Sequence, residues 1–185
     1  LHLLSRRQRQ MCIRDRNKEL LKYAQTDALT GLYNKETTEQ LTDELLSEDE
    51  NKYHAFLILD VDCFKQINDI YGHAVGDIVL QKFGKLLKGT FREGDILGRI
   101  GGDEFGVIMK NIQTKDIAMK KAEELLAKTQ AYKIDELKGN NISISIGIST
   151  APQDGDCYMD LYKRADQALY QAKRSGKARV CNYFS

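Results

Sequence analysis

Along the chain, unbroken apolar runs, strict alternation and helical stripes follow one another in mixed order. Ala55-Phe-Leu-Ile-Leu59 is apolar throughout and too short for a typical helix, which predicts a central strand buried on both faces. Ile96-Leu97 and Phe105-Gly-Val-Ile-Met109 predict two further strands joined by a tight hairpin, and a demand for positive φ there would explain Gly101-Gly102. Ile142-Ser-Ile-Ser-Ile-Gly-Ile148 alternates strictly and predicts a strand with one apolar face, and Val180 to Tyr183 adds a last short strand. Helices are predicted over Glu36 to Leu46, Asp77 to Leu87, Thr114 to Thr129 with Thr114 as N-cap, and Tyr158 to Lys173. Ile78, Val79, Phe83, Leu86 and Leu87 share the buried side of the second. Leu161, Tyr162, Ala165, Ala168, Leu169 and Ala172 share one side of the last. This order of strands, hairpin and helices implies an α/β sandwich with a largely antiparallel sheet.

Composition adds bounds. At 185 residues and 42% hydrophobic content the chain is long enough for one domain with a proper core. A net charge of +1 gives no bulk attraction to nucleic acid or anionic membrane. No apolar stretch approaches the roughly 20 residues needed to span a bilayer. Cys12, Cys63, Cys157 and Cys181 show no CxxC or zinc spacing, so reduced thiols and a cytoplasmic setting are expected. No internal repeat or low-complexity tract is evident.

Acidic residues carry the candidate chemistry. Asp103 and Glu104 follow the hairpin glycines, and adjacent acids on a rigid turn repel unless a cation sits between them. Taken alone, the pair reads better as an ordinary exposed acidic turn. The buried strand, however, ends in Asp60-Val61-Asp62, and a carboxylate there is expensive without a partner or a metal. If that strand lies beside the hairpin, Asp60, Asp103 and Glu104 converge on one hard cation, Mg²⁺ or Mn²⁺, with the Val61 carbonyl nearby. Asp62 is expected to cap the following turn instead.

At this point four segments together carry a family resemblance. Asp60-Val-Asp-Cys-Phe-Lys-Gln-Ile-Asn-Asp-Ile-Tyr-Gly-His-Ala-Val-Gly-Asp77 and Arg99-Ile-Gly-Gly-Asp-Glu-Phe105 resemble the GGDEF domain of diguanylate cyclases. So do Asp27-Ala-Leu-Thr-Gly-Leu-Tyr-Asn34 and Ala165-Asp-Gln-Ala-Leu-Tyr-Gln-Ala-Lys173. The resemblance spans about residues 26 to 183. It implies a palm-like fold of the nucleotide cyclase and polymerase type, and condensation of two GTP into cyclic di-GMP with loss of two pyrophosphates. It further implies a homodimer, because each domain holds one GTP and the two must face each other. Asp103 and Glu104 then become the catalytic acids, with Asp103 as metal ligand first and proton acceptor second.

The same resemblance distributes substrate roles. Asn68 and Asp77 take the positions that read the guanine edge, which suits an amide beside a carboxylate; without it they read as a turn residue and an N-cap. His73 either touches substrate or braces its loop. Phe64 and Lys65 lie where turn N–H groups face the phosphates, and Lys173 and Lys177 match a phosphate-binding basic pair. Lys at a helix C-terminus is otherwise simple dipole complementarity. Lys177 stands where Arg is frequent, which keeps charge and loses bidentate geometry. Ala178 replaces the usual Asn, and Lys35 the usual Arg. Arg92-Glu-Gly-Asp95 occupies the place of the inhibitory RxxD motif, where the cyclic product would bind and restrain the enzyme; outside the family it would be a surface ion pair.

The chain's start reads differently. Arg6-Arg-Gln-Arg-Gln-Met-Cys-Ile-Arg-Asp15 resembles a translated sequencing-library adapter, so residues 1 to 16 are set apart as non-native; a short basic tail is the rival reading. Residues 17 to 25 fit a helical stalk through Leu20, Leu21 and Ala24, leading from a sensory domain upstream that is missing here and that could anchor a parent protein to the membrane. Residues 26 to 185 form the cyclase domain. Rival functions are a catalytically silent cyclic di-GMP receptor and a GTP-sensing module. The complete acidic set and guanine-reading pair argue against both.

Overall fold

A computed structural model of the protein describes residues 24–48 and 52–183. The adapter-like segment and the stalk before Ala24 lie outside the described residues. Five strands form one mixed sheet in the order β2-β3-β1-β4-β5. They are β1 (His54–Val61), β2 (Ile96–Arg99), β3 (Glu104–Met109), β4 (Ile144–Ala151) and β5 (Val180–Asn182). The helices are α1 (Lys35–Glu48), α2 (Phe64–Tyr71), α3 (His73–Thr90), α4 (Lys115–Ala131) and α5 (Tyr158–Arg174). Neighbouring strands run antiparallel except β4 and β5, which are parallel. Among the described residues no helix is long and apolar enough to cross a membrane.

β1 is the middle strand, and every one of its residues is buried. Its side chains alternate between two cores, as the period of two requires. Ala55, Leu57, Leu59 and Val61 pack with Val79, Phe83 and Leu87 of α3 and Ala118, Ala122 and Leu125 of α4. Phe56 and Ile58 pack on the opposite face with Tyr158, Leu161, Ala165 and Leu169 of α5 and Leu46 of α1. The phenyl ring of Phe83 meets Phe105 edge-on at 4.9 Å between centroids, which joins α3 to β3.

Several expectations change here. β4 is buried on both faces, although its sequence alternates apolar with small polar residues. Ile144, Ile146 and Ile148 enter the first core, whereas Ser145, Gly147 and Ser149 lie on the side covered by α5. Ser149 donates its hydroxyl to the Leu161 carbonyl at 2.8 Å. A Cβ on Gly147 would overlap the Ala165 carbonyl and the Leu169 N–H, so small residues here let a helix backbone lie directly on the sheet. The polar positions thus mark close packing, not solvent.

α3 begins at His73, one turn before the expected Asp77, and an unforeseen α2 precedes it. Gly72, at φ 85° and ψ 158°, ends one helix and starts the other, a conformation open to glycine. No residue of α2 is fully buried and Ile70 is 72% exposed, although Phe64, Ile67 and Tyr71 lie against the first core. Asn68 therefore sits in a helix and not a turn, and Asp77 is inside α3 and not its N-cap. Thr114 does occupy the N-cap of α4, but its side chain makes no capping hydrogen bond. The hairpin glycines also differ from expectation, since neither Gly101 nor Gly102 has a positive φ. What Gly101 needs is room: a Cβ there would lie 2.8 Å from Glu104 Oε2.

Gly147→Ala is expected to lower stability by about 1–3 kcal/mol, because backbone of α5 cannot yield as a side chain can. Gly102→Ala, with no atom within 4 Å of the added Cβ, should be nearly neutral by comparison. Urea denaturation of both variants measures the difference.

Candidate active site

The acidic residues meet where β1 ends beside the β2–β3 hairpin. Asp60 is paired directly with Glu104 across the β1–β3 ladder. The Val61 N–H donates to the Asp103 carbonyl at 3.2 Å, which brings the Asp103 backbone alongside. Asp60 is 7% exposed, and burial pushes its carboxyl above the ordinary range; Lys173 opposes that push, while the charges of Asp103 and Glu104 add to it. Lys173 Nζ, near the end of α5, donates to Asp60 Oδ2 at 2.7 Å. The lysine expected to hold phosphate is thus bound to the carboxylate at the heart of the acidic set.

The carboxylate oxygens of Asp60, Asp103 and Glu104 do not all come within 4.8 Å of one another. Among the described residues, the set of side chains that does is Asp156, Cys157 and Asp160, a surface cluster elsewhere. The ammonium of Lys173 supplies the positive charge that Asp60 needs. Hard oxygen donors from Asp60, Asp103 and Glu104, at the end of β1 and the adjoining hairpin, still suit a divalent cation of the Mg²⁺ class.

Asp62 is not the cap expected from sequence. Its carboxylate accepts from the Ser143 and Ser145 hydroxyls at 2.8 and 2.7 Å and from the Ala178 N–H at 3.1 Å. It ties β4 to the turn after α5, where Lys177 and Ala178 both take left-handed backbone conformations. Lys177 Nζ donates to Cys63 Sγ at 3.1 Å, and this contact holds the ammonium above its usual pKa. The second expected phosphate lysine therefore lies at the start of α2, next to Phe64 and the exposed Lys65.

The base-reading candidates lie on α2 and α3. Asn68 is half-buried, and its Oδ1 is buried with no hydrogen-bond partner. An acceptor left in that state costs about 1–3 kcal/mol unless a ligand N–H meets it. Asp77 is exposed on α3, and His73 is exposed at the start of the same helix.

Arg99 and Asp27 carry a role that the sequence motifs contained but did not explain. Arg99 donates Nε and Nη2 to the Gly102 carbonyl at 3.1 and 2.7 Å, and Nη1 to Asp27 at 3.2 and 3.3 Å. Asp27 also accepts from the Thr30 N–H and hydroxyl at 2.8 and 2.7 Å. Partial burial works to raise its pKa, but the Thr30 hydrogen bonds and Arg99 outweigh it and hold the carboxyl below its ordinary value. The hairpin tip is thereby fastened to the segment before α1. Charge complementarity between residues 72 apart leaves no local signal.

Arg92 and Asp95 lie at the opposite end of the same hairpin, about 14 Å away along the four residues of β2 at 3.4 Å each. They are more than a surface ion pair. Arg92 Nε meets Asp95 Oδ1 at 3.0 Å, but the Asp95 side chain is only 3% exposed and also accepts from the Lys110 N–H at 3.1 Å. Arg92 donates in turn to the Lys110 carbonyl. Both residues line a cleft of about 570 Å³ with Thr90, Met109, Ile112 and Lys121, and the buried Thr90 hydroxyl has no partner.

The pattern of the family described as diguanylate cyclase, GGDEF domain, matches residues 24–179. Diguanylate cyclase A of Treponema denticola is 37% identical over 170 residues, covering 89% of this chain and 46% of its own length. Response regulator PleD of Caulobacter vibrioides is 38% identical over 165 residues, covering 86% of this chain and 36% of its own. The chain thus spans less than half the length of these relatives. The coiled coil and GGDEF domain of DgcB from Caulobacter crescentus, solved with cyclic di-GMP, superposes with a TM-score of 0.85 at 26% identity, over 93% of this chain and 92% of that one. The GGDEF domain of TpbB from Pseudomonas aeruginosa gives a TM-score of 0.81 at 33% identity, over 86% and 94%. The palm-like α/β fold is common to them and to this chain.

The Asp27–Arg99 bond makes a prediction with a defined pH signature. The folded-state pKa of Asp27 lies below the ordinary 3.8, so its stabilisation is present above that pH and lost as pH falls through the folded value. Asp27→Asn, which keeps an acceptor for Thr30 but loses the charge, should destabilise by about 1 kcal/mol at neutral pH. Denaturation curves of the two proteins should converge below pH 3.8.

Proposed function

The chain belongs to the diguanylate cyclase GGDEF-domain family, and on that premise we propose that it condenses two GTP into cyclic di-GMP with release of two pyrophosphates. The observation that carries this reading is the direct pairing of Asp60 with Glu104 beside the Asp103 backbone, with Lys173 at 2.7 Å from Asp60.

In each of two equivalent steps, the 3′-hydroxyl of one GTP attacks the α-phosphate of the other. A phosphorus–oxygen bond forms, the bond to pyrophosphate breaks, and the hydroxyl proton leaves to solvent through Asp103. Asp60, Asp103, Glu104 and the Val61 carbonyl would hold Mg²⁺ or Mn²⁺. When bound, that ion supplies charge neutralisation at the phosphoryl oxygens and acidifies the attacking hydroxyl. Lys173 and Lys177, with Phe64 and Lys65 at the first turn of α2, bind the triphosphate, and helix N–H groups without intrahelical partners complete that cradle. Asn68 and Asp77 read guanine: the orphaned Asn68 oxygen accepts from a ring or exocyclic N–H, and Asp77 takes another. His73 lies beside this pair at the start of α3.

A single domain holds one GTP, so the active form is a homodimer with facing sites. The reaction takes place in the cytoplasm, where GTP is supplied. Cyclic di-GMP binds the cleft at Arg92 and inhibits; Asp95, held by Lys110 as well as Arg92, presents the arginine.

Incubating the purified chain with GTP and Mg²⁺ and resolving products by chromatography tests the activity. Asp103→Ala should cut cyclic di-GMP formation by at least about 100-fold while circular dichroism stays that of the folded domain. Near-normal turnover would remove Asp103 from the catalytic set, and nucleotide binding without product from the unmodified chain would identify a silent receptor. Arg92→Ala should weaken cyclic di-GMP binding tens to hundreds of fold in calorimetry, about 1–3 kcal/mol. Equal binding by both proteins would place the product elsewhere.

A further inference from the structure

Gly76 occupies the first turns of α3, an 18-residue helix, and is buried there. Glycine is the poorest helix former after proline, and Gly76 has no positive φ to justify it. Its surroundings supply the reason. A Cβ at this position would overlap Asn68 Oδ1, and would stand 3.1 Å from Asn68 Cγ and 3.2 Å from Phe64 Cζ. Both neighbours come from α2, and Asn68 Oδ1 is the buried oxygen left without a hydrogen-bond partner.

We propose that Gly76 is a positioning residue for guanine selection: the missing side chain makes the space in which Asn68 holds its amide for the base. The inference rests on the reading of Asn68 as a guanine contact. It adds that α3 governs selectivity from behind, through a residue that touches no substrate.

The nature of the overlap separates this role from a plain packing role. Asn68 belongs to α2, whose residues are all at least partly exposed, so its short side chain can swing away from an added methyl group. Alanine is also the better helix former. Fold stability is therefore preserved or raised in Gly76→Ala, and what is lost is the amide's position. At Gly147, by contrast, the obstacle is helix backbone and stability itself falls.

The test uses the full chain with a non-hydrolysable GTP analogue and the matching ATP analogue in Mg²⁺, each titrated by calorimetry. Thermal melts of the same samples are recorded alongside. Gly76→Ala should melt at or above the unmodified protein and lose at least tenfold in guanine-over-adenine preference. Asn68→Ala should lose a similar factor, and the double variant no more than either alone, because both act on one amide. Full preference in Gly76→Ala, with Asn68→Ala impaired, overturns the role of Gly76 and leaves the guanine contact standing. Full preference in Asn68→Ala overturns both. A lower melting temperature with undiminished preference shows packing alone and overturns the proposal. Losses that multiply in the double variant do the same, since they would arise at independent places.

Discussion

A carboxylate at the end of a strand buried on both faces is the constraint on which this molecule turns. β1 lies in the middle of the sheet, with the α3–α4 layer on one side and α5 on the other, so Asp60 has little water to stabilise its charge. Burial drives its carboxyl toward the neutral form, and the neighbouring acids push the same way. Lys173 provides the opposing charge, and it can do so only because α5 packs directly against the sheet. That closeness depends in turn on Gly147, Ala165 and Leu169, where strand and helix backbones nearly touch. A stretch of small residues in β4 thus sets how far the Lys173 ammonium stands from the acidic end of β1.

The β2–β3 hairpin transmits position in two directions. Its tip is held by Arg99, which links the Gly102 carbonyl to Asp27. Its base is held by Asp95, which links Arg92 to the Lys110 N–H. Both anchors are charge-assisted, and the one at the tip adds to the backbone bridge between Tyr33 and β2. The acidic pair therefore stands on a ribbon clamped at each end, and a ligand in the cleft at Arg92 would act on one of the two clamps.

Much of this was legible in the sequence, for identifiable physical reasons. Ala55 to Leu59 announced the central strand because burial on both faces leaves an unbroken apolar run. The stripes of α3 and α5 repeated often enough to show their period. α2 stayed hidden because it is only eight residues long and fully buries none of them, and Gly72 breaks it from α3 after a single pair of turns. The alternation in β4 misled because Ser145 and Ser149 look solvent-facing, whereas their hydroxyls are spent on Asp62 and the Leu161 carbonyl. The acidic site was readable as residue types, but the engagement of Lys173 with Asp60 was not, since residues 113 apart carry no local mark of their pairing.

Asp60 and Asp62 show how a structure separates an acid that serves the fold from one that is open to a ligand. The two are alike in sequence and both buried, at 7% and 6% exposure. An ionised carboxylate offers about four acceptor positions. Asp62 fills three of them with protein donors from β4 and from the turn after α5, so a ligand could reach it only by breaking those ties. Asp60 instead accepts from Lys173, a long side chain on α5 that is 35% exposed. A cation approaching the end of β1 thus has to compete with one partly exposed ammonium and not with donors from the sheet itself. The acid next to the hairpin can exchange its partner, and the acid two residues later cannot.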